Sequence, residues 1–132
     1  EKLLIERRPK GVTANLKLIG APPRGAKLHP MSDVPGPHSY GTEQTELMTL
    51  PGAQTVLCDG LSEAMVRFAA RYEYAITVED VLARRARLLF LDARLASSVA
   101  AKVAEILRQE TGLDPQLESF IQLTKHYLQL AE

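Results

Sequence analysis

The sequence is short of several residue types, and each shortage excludes a class of protein. Cys58 is the only cysteine, so no internal disulfide can form, and with three scattered histidines it makes no convincing metal site. We therefore expect no bound metal and a reducing, cytoplasmic location. No apolar run approaches the roughly 18 residues of a membrane span, and the opening residues, EKLLIERRPK, do not resemble a signal peptide.

The chain also lacks an excess of either charge. Its 132 residues contain 16 Lys and Arg and 16 Asp and Glu, which gives no net charge with neutral histidines. No overall field attracts such a chain to a polyanion, so we expect no nucleic-acid partner despite the run RRAR at 84 to 87. The length fits one domain, and the first residue is Glu1 rather than methionine, so we expect a piece of a longer protein.

Proline, glycine and aromatic residues divide the chain into two unlike parts. Seven of the eight prolines and seven of the eight glycines precede residue 61, whereas six of the seven aromatic residues follow it. Proline and glycine oppose long helices. We predict an extended connector over residues 1 to 40, with a short strand or helix near 13 to 21, and a helical domain over residues 41 to 132 that opens with a short helix in TEQTELMTL.

After Gly60 the spacing of apolar residues predicts four main helices, which form an all-α, compact bundle behind the irregular connector. Side chains that cap helix ends mark their limits. Glu63 and Arg67 are expected to pair along the first of these helices. The predicted end signals are Ser62 for the first helix, Thr77 with Asp80 for the second, Gly112 after the third, and Asp114 with Pro115 for the fourth.

Three arginines in the second predicted helix raise the question of a binding site. Projected at 100° per residue, Arg85 falls within the apolar stripe of residues 78 to 91, so its charge needs a partner in the core. Glu73, just before the helix, is the acid expected to fold back to it. An exposed ladder from Asp80 accounts for Arg84 and Arg87.

We therefore predict a structural ion-pair network of Glu73, Asp80, Arg84 and Arg85. If Arg85 is buried, Arg85→Met should be tolerated better than Glu73→Ala, because only the second change strands a charge. The alternative is that Arg85, with Arg84, faces an anionic ligand or an acidic partner.

Elsewhere the residues offer little chemistry. The segment GAPPRG lacks the glycine spacing of a phosphate-binding loop, and its prolines remove N–H donors. Ser97 and Ser98 have no base nearby in the sequence, and no two histidines have helical ligand spacing. We predict no catalytic residue, no cofactor-binding residue and no metal ligand in this chain.

The stretch VRFAARYEYAITVEDVLARRARLLFLDARLA, residues 66 to 96, closely resembles a known family. The family is the C-terminal helical domain of FAD-dependent glycerol-3-phosphate dehydrogenases and the related alpha-glycerophosphate oxidases. Its pattern is an acid followed by Asp-x-x-x-Arg-Arg, matched here by Glu73, Asp80, Arg84 and Arg85. The resemblance covers roughly residues 36 to 130 and includes HSYGTE, LSEAMVRFA and VAEILRQETGLDP.

The resemblance implies a parent enzyme that oxidises sn-glycerol 3-phosphate to dihydroxyacetone phosphate and passes the electrons to quinone. FAD and the catalytic residues would lie in an N-terminal domain, and no cofactor is expected on this chain. The partner implied is that FAD domain, on which the helical domain would pack as an accessory. The parent would be peripheral to the inner face of the membrane, and the resemblance leaves open a homodimer of the parent.

A function of a different class competes with this reading. The chain could be a free-standing helical interaction module whose Arg-rich helix face binds an acidic partner, in which case binding through Arg84 and Arg87 would weaken with salt. A third interpretation, a bundle that binds an anion through Arg85, predicts that glycerol 3-phosphate raises the melting temperature.

Overall fold

The structure, a computed structural model, describes residues 11, 13, 16–27, 29–30 and 33–130. It confirms the predicted fold class, a mostly helical bundle that follows an irregular connector. The elements are, in chain order, a 3-10 helix Pro37–Glu43, α1 Gln44–Thr49, β1 Val56–Cys58, β2 Leu61–Ser62, α2 Glu63–Tyr72, a π-helical turn Asp80–Arg85, α3 Leu88–Leu91, α4 Ala93–Thr111 and α5 Leu117–Leu130.

Helix α4 is the centre of the bundle, because α2, α3 and α5 all pack against it. Its buried side chains recur at helical spacing from Ala96 to Leu107. Helix α2 contributes Phe68 and its small neighbours, and α5 contributes Phe120. Burying a side chain of this size stabilises a fold by about 1.5 to 3 kcal/mol. The fully buried large residues are Phe68, Phe120, Leu47, Leu82, Leu89, Ile106, Leu107, Val66, Val78, Val81, Val103 and Thr124.

A short antiparallel ribbon, which the sequence did not predict, precedes α2. Val56 pairs with Ser62 and Cys58 with Leu61, with an irregularity between the two pairs. Ser62 ends the ribbon and caps α2, since its hydroxyl accepts a hydrogen bond from the Met65 N–H at 3.4 Å. The predicted N-cap is therefore confirmed, and the same residue belongs to a strand.

The predicted second helix is not continuous. From Asp80 to Arg85 the backbone forms a π-helical turn, with the Ala86 N–H donating to the Val81 carbonyl five residues earlier at 2.8 Å. Arg87 then adopts a left-handed conformation, φ 56°, and α3 begins at Leu88. The apolar residues predicted for the core, Val78, Val81, Leu82, Leu88 and Leu89, are all buried.

The ends of the last two helices agree only partly with the prediction. Gly112 terminates α4 at φ 69°, as expected of a glycine after a helix. The predicted start of α5 was wrong, because Gln116 has φ 56° and the helix begins at Leu117. Pro115 is buried instead, and its carbonyl accepts a hydrogen bond from the Val78 N–H at 2.9 Å.

The connector makes a close backbone contact with the helical part at Gly20. The Thr42 N–H donates to the Gly20 carbonyl at 3.1 Å. Gly41 has φ 55°, and a Cβ at this position would lie 1.9 Å from the same carbonyl oxygen. Only glycine fits here, because a side chain would both clash and strain the backbone.

Candidate functional site

The signature network, defined as Glu73, Asp80, Arg84 and Arg85, lies where α2 ends and the π-helical turn begins. Arg85 Nε is 2.8 Å from Glu73 Oε2. The Arg85 guanidinium also donates to the Glu73 carbonyl and, at 3.2 Å, to the Asp80 carbonyl. Glu73 is the C-cap of α2, so one arginine binds a carboxylate and carbonyl groups of two successive elements.

The Asp80 side chain binds the backbone just before the π-helical turn. Its carboxylate accepts hydrogen bonds from the N–H groups of Thr77, at 2.9 Å, and Ile76, at 3.1 Å. The Thr77 hydroxyl accepts from the Asp80 N–H at 3.1 Å, which confirms the predicted capping box. Partial burial alone would raise the pKa of Asp80, but the hydrogen bonds from Thr77, Ile76 and Arg84 outweigh it and lower this pKa to about 2.

Arg84 and Arg85 have different partners. Arg84 pairs with Asp80 and, at 2.8 Å, with Glu79, so it is held by two acids of its own segment. Among the residues that the structure describes, no carboxylate lies within ion-pair distance of Arg87, although the sequence led us to expect a ladder there.

The prediction that Arg85 is buried was wrong. Its side chain is 32 % exposed, because the wider π-helical turn departs from the 100° per residue assumed in the projection. The contact with Glu73 exists, but it bridges a surface turn rather than the core. The role assigned to the four residues, structural support, stays a prediction.

Tyr40 adds an aromatic contact from the connector side. Its ring meets the Phe68 ring edge to face at 5.0 Å, and Phe68 in turn lies 4.8 Å from Tyr72. Burial raises the pKa of the Tyr40 hydroxyl to about 12, helped by the charge of Glu73 and opposed by that of Arg85. The hydroxyl is therefore neutral at physiological pH.

A second cluster, which the sequence did not predict, joins α2 to α4. We call it the α2–α4 network: Glu63, Arg67, Arg71, Lys102 and Glu110. Arg67 Nη1 lies 2.5 Å from Glu110 Oε1, and Arg71 Nε lies 2.6 Å from Glu110 Oε2. The expected pair of Arg67 with Glu63 is present but long, at 3.9 Å.

Burial distinguishes the α2–α4 network from the signature network. The side chains of Arg67 and Glu110 are only 14 % and 10 % exposed. Hydrogen bonds from Arg71 and Arg67 hold the pKa of Glu110 below its usual value against the opposing effect of burial. The residues of the closest pair are 43 positions apart, so helix periodicity gives no signal for it.

Among the surface cavities formed by described residues, two are the best defined, and neither gathers groups suited to catalysis. One, of about 290 Å³, is bounded by residues 89–94 with Tyr127 and Leu128. The other, of about 240 Å³, lies between the connector at residues 35–37 and the β ribbon. Within the described part of the chain, no three His, Cys, Asp or Glu residues are grouped so as to hold a metal ion, and no helix combines the length and apolar character of a membrane span.

Three known proteins that are similar to this chain are all named as mitochondrial glycerol-3-phosphate dehydrogenases. The chain is 33 % identical over 98 residues to a mitochondrial glycerol-3-phosphate dehydrogenase of Arabidopsis thaliana, which is 70 % of this chain and 16 % of that protein. It is 45 % identical over 51 residues, 39 % of this chain and 8 % of the relative, to the mitochondrial glycerol-3-phosphate dehydrogenase of Schizosaccharomyces pombe. A probable mitochondrial glycerol-3-phosphate dehydrogenase of Dictyostelium discoideum is 36 % identical over 75 residues, 53 % of this chain and 12 % of the relative.

These alignments cover much of the chain but little of each relative, since it spans only 8 to 16 % of the length of those three proteins. No solved structure matches it significantly. The family described as the C-terminal domain of alpha-glycerophosphate oxidase matches residues 37–118, which include the whole signature network. The chain therefore belongs to the C-terminal domain family of alpha-glycerophosphate oxidase.

Proposed function

We propose that this chain is the C-terminal accessory domain of an FAD-dependent glycerol-3-phosphate dehydrogenase. In this proposal the parent oxidises sn-glycerol 3-phosphate to dihydroxyacetone phosphate and passes the electrons to quinone. The helical domain packs on the flavin domain and stabilises it. The observation that carries the proposal is the family match over residues 37–118, together with relatives that are named glycerol-3-phosphate dehydrogenases.

The described residues do not fit a flavin. The passage from β2 into α2 contains no glycine-rich loop, because Ser62 caps the helix directly. The two cavities described above, of about 290 and 240 Å³, are at most at the lower end of the roughly 300 to 1,000 Å³ usual for sites of drug-sized ligands, and FAD is larger than such a ligand. We assign FAD and the reacting groups to the remainder of the parent, and no reaction step to the residues of this chain.

The competing functions of the arginines are weakened by their contacts. Arg85 is occupied by Glu73 and by carbonyl groups, and Arg84 by two acids. An anionic ligand or acidic partner would have to displace these partners. A free-standing module that reads acidic partners would then depend on Arg87 alone, which favours the accessory domain.

The surroundings of the parent belong to the same proposal. The sequence predicts a cytoplasmic chain and a parent peripheral to the inner face of the membrane, whereas the curated relatives are named as mitochondrial proteins. Cell fractionation tests the compartment of the parent, and a high-salt wash of the membrane fraction tests its peripheral attachment. A peripheral parent is released from membranes by salt, and a parent released only by detergent would contradict this part of the proposal.

The full-length gene product provides the test of activity. Its visible spectrum is recorded without oxygen before and after addition of sn-glycerol 3-phosphate. We expect the absorption of oxidised flavin to bleach with this substrate and to persist with glycerol 2-phosphate, whose phosphate is on the wrong carbon. A full-length protein without flavin would overturn the proposal and favour the interaction module.

A further inference from the structure

The turn between α2 and the π-helical turn exposes an unusual series of large side chains. We call it the tyrosine strip: Tyr72, Tyr74 and Ile76, which are exposed at alternate positions. The Tyr74 side chain is 90 % exposed. An exposed aromatic residue among apolar neighbours marks a surface that meets another protein surface.

The backbone holds Tyr74 in place from both sides. Tyr74 has φ 59°, a left-handed conformation that costs a residue with a side chain about 1 kcal/mol or more. On one side, Arg85 binds the carbonyl and the carboxylate of Glu73. On the other side, the N–H of buried Ala75 donates to the Ala69 carbonyl at 3.0 Å, and Asp80 accepts from the next two N–H groups.

The signature network thus fixes the turn, and the fixed turn presents a tyrosine to solvent. A backbone that is already ordered loses less entropy when the side chain it carries docks, and tyrosine is enriched among the residues that dominate interfaces.

The connector reaches the helical part beside this strip. The Gly20 carbonyl contacts the backbone at Gly41 and Thr42, one residue after Tyr40. From Tyr40 a line of aromatic rings runs through Phe68 to Tyr72, the first residue of the strip. On the connector itself Leu18 and Ile19, which directly precede Gly20, are exposed as well.

We propose that the tyrosine strip, with Leu18 and Ile19, is the surface on which the preceding part of the same polypeptide docks, and that Tyr74 is its anchor. This inference rests on the proposed function, because it takes the chain as the C-terminal domain of a longer enzyme. The A. thaliana relative has more than four fifths of its length outside the matched region, and the connector, which bonds to the helical part beside Tyr40, precedes the strip in the chain. Glu73, Asp80 and Arg85 act as positioning residues for Tyr74.

A second apolar surface provides the competing location. Phe90 and Leu91, on α3, are exposed, and Phe90 meets the Tyr127 ring edge to face at 5.6 Å. This surface borders the larger cavity. Among the described residues, no hydrogen bond joins the connector or the signature network to Phe90 or Leu91, so we assign the docking to the tyrosine strip.

Photo-crosslinking in the full-length protein separates the two surfaces. A benzophenone amino acid replaces Tyr74, Leu91 or, as a control on the α4–α5 turn, Leu113. We expect irradiation at position 74 to link the chain to peptides that precede Glu1, and position 113 to give no such link. A link from position 91 but not from 74, a link only to a second copy, or no link from 74 would each overturn the proposal.

Three variants test the anchor without unfolding the domain. Asparagine accepts the left-handed conformation, so Tyr74→Asn should fold while it loses the ring. In the full-length protein we expect limited proteolysis of the connector to become about tenfold faster in Tyr74→Asn, and to stay unchanged in Leu113→Asn and Tyr74→Phe. Equal cleavage rates in all four proteins would contradict the proposal.

The flavin and crosslinking experiments together distinguish failure of this inference from failure of the proposed function. A parent that bleaches with glycerol 3-phosphate but gives no crosslink from position 74 would refute the docking surface alone. A parent that gives the crosslink but has no flavin would refute the proposed activity and leave the docking surface in place.

Discussion

Helix α2 has an arginine–carboxylate cluster on its flank and another at its C-terminal end, and they differ in their access to water. In the α2–α4 network the closest pair, Arg67 and Glu110, is largely buried between two helices. In the signature network Arg84 and Arg85 lie at the surface. The same chemical groups thus lie at a helix interface in one place and at a surface turn in the other.

The difference follows from what each arginine binds. Glu110 accepts from both Arg67 and Arg71, so one carboxylate compensates two cations at a helix interface. Arg85 donates to two main-chain carbonyls in addition to Glu73. A buried pair costs most when one member is lost, whereas a surface pair is replaced by water.

The largest expected effect therefore lies in the network that the sequence did not reveal. Glu110→Ala leaves Arg67 without its short-range acid in a largely buried position, and we expect a loss of about 3 kcal/mol in the free energy of unfolding. Urea denaturation of the chain measures it. Glu105→Ala, on the same helix but well exposed, is the control and should cost less than about 0.5 kcal/mol.

The double variant Arg67→Met with Glu110→Leu sharpens this result. Removal of both charges from the interface should recover much of the loss, because the cost arises from the stranded charge. A double variant less stable than Glu110→Ala would mean that the ion pair itself, rather than the stranded arginine, carries the energy.

The next effect concerns Arg85. Arg85→Met removes the bonds to both carbonyls as well as the ion pair, and we expect a loss of about 1.5 kcal/mol, against about 0.5 kcal/mol for Glu73→Ala. This order reverses the one expected from the sequence, which assumed a buried arginine. Denaturant midpoints of the two variants test this order. A larger loss for Glu73→Ala than for Arg85→Met would contradict it and support the order expected for a buried arginine.

A smaller effect should appear as a dependence on pH. The folded-state pKa of Asp80, about 2, is below its ordinary value of 3.8, so its contribution is present above about pH 4 and is lost as the pH falls towards 2. Linkage for a shift of this size gives a change of about 2 kcal/mol between pH 5 and pH 2. Because solvent screens this partly exposed carboxylate, we expect the stability difference between the native chain and Asp80→Asn to shrink by about 1 kcal/mol over this range. Melting temperatures of both proteins across this range provide the measurement, and a constant difference would contradict the assignment.

The smallest effect is expected for Arg84. Its two ion pairs are exposed, so Arg84→Ala should cost about 0.3 kcal/mol and the loss should disappear in 1 M salt. Denaturation at low and high salt tests this point. A loss of the size expected for Glu110→Ala would remove the distinction between the two clusters.

The sequence predicted what depends on neighbouring residues. Ser62, Thr77 with Asp80, and Gly112 act within one turn of their own helix ends, and each has the predicted role. The pairing of Arg67 with Glu110 needs the packing of α2 on α4, and the β ribbon is too short to have a period. Asp114 and Pro115 carry good start signals for a helix, but the hydrogen bond from Val78 holds Pro115 outside it.

The projection of Arg85 failed for a related reason. It assumed a regular α-helix over residues 78–91, and no local signal announces a π-helical turn or a left-handed arginine. The contact of Arg85 with Glu73 was nevertheless expected, because Glu73 is the acid just before the helix that can fold back towards it.

The π-helical turn has a consequence for how the chain tolerates insertion and deletion. Its hydrogen bond spans one residue more than that of an α-helix. The turn therefore contains one residue more than an α-helical turn would between the Asp80 cap and the buried Leu88. We expect deletion of one residue in this turn to leave the register of α4 unchanged. The segment that orients the tyrosine strip is thus also the segment in which the length of the chain can change by one residue.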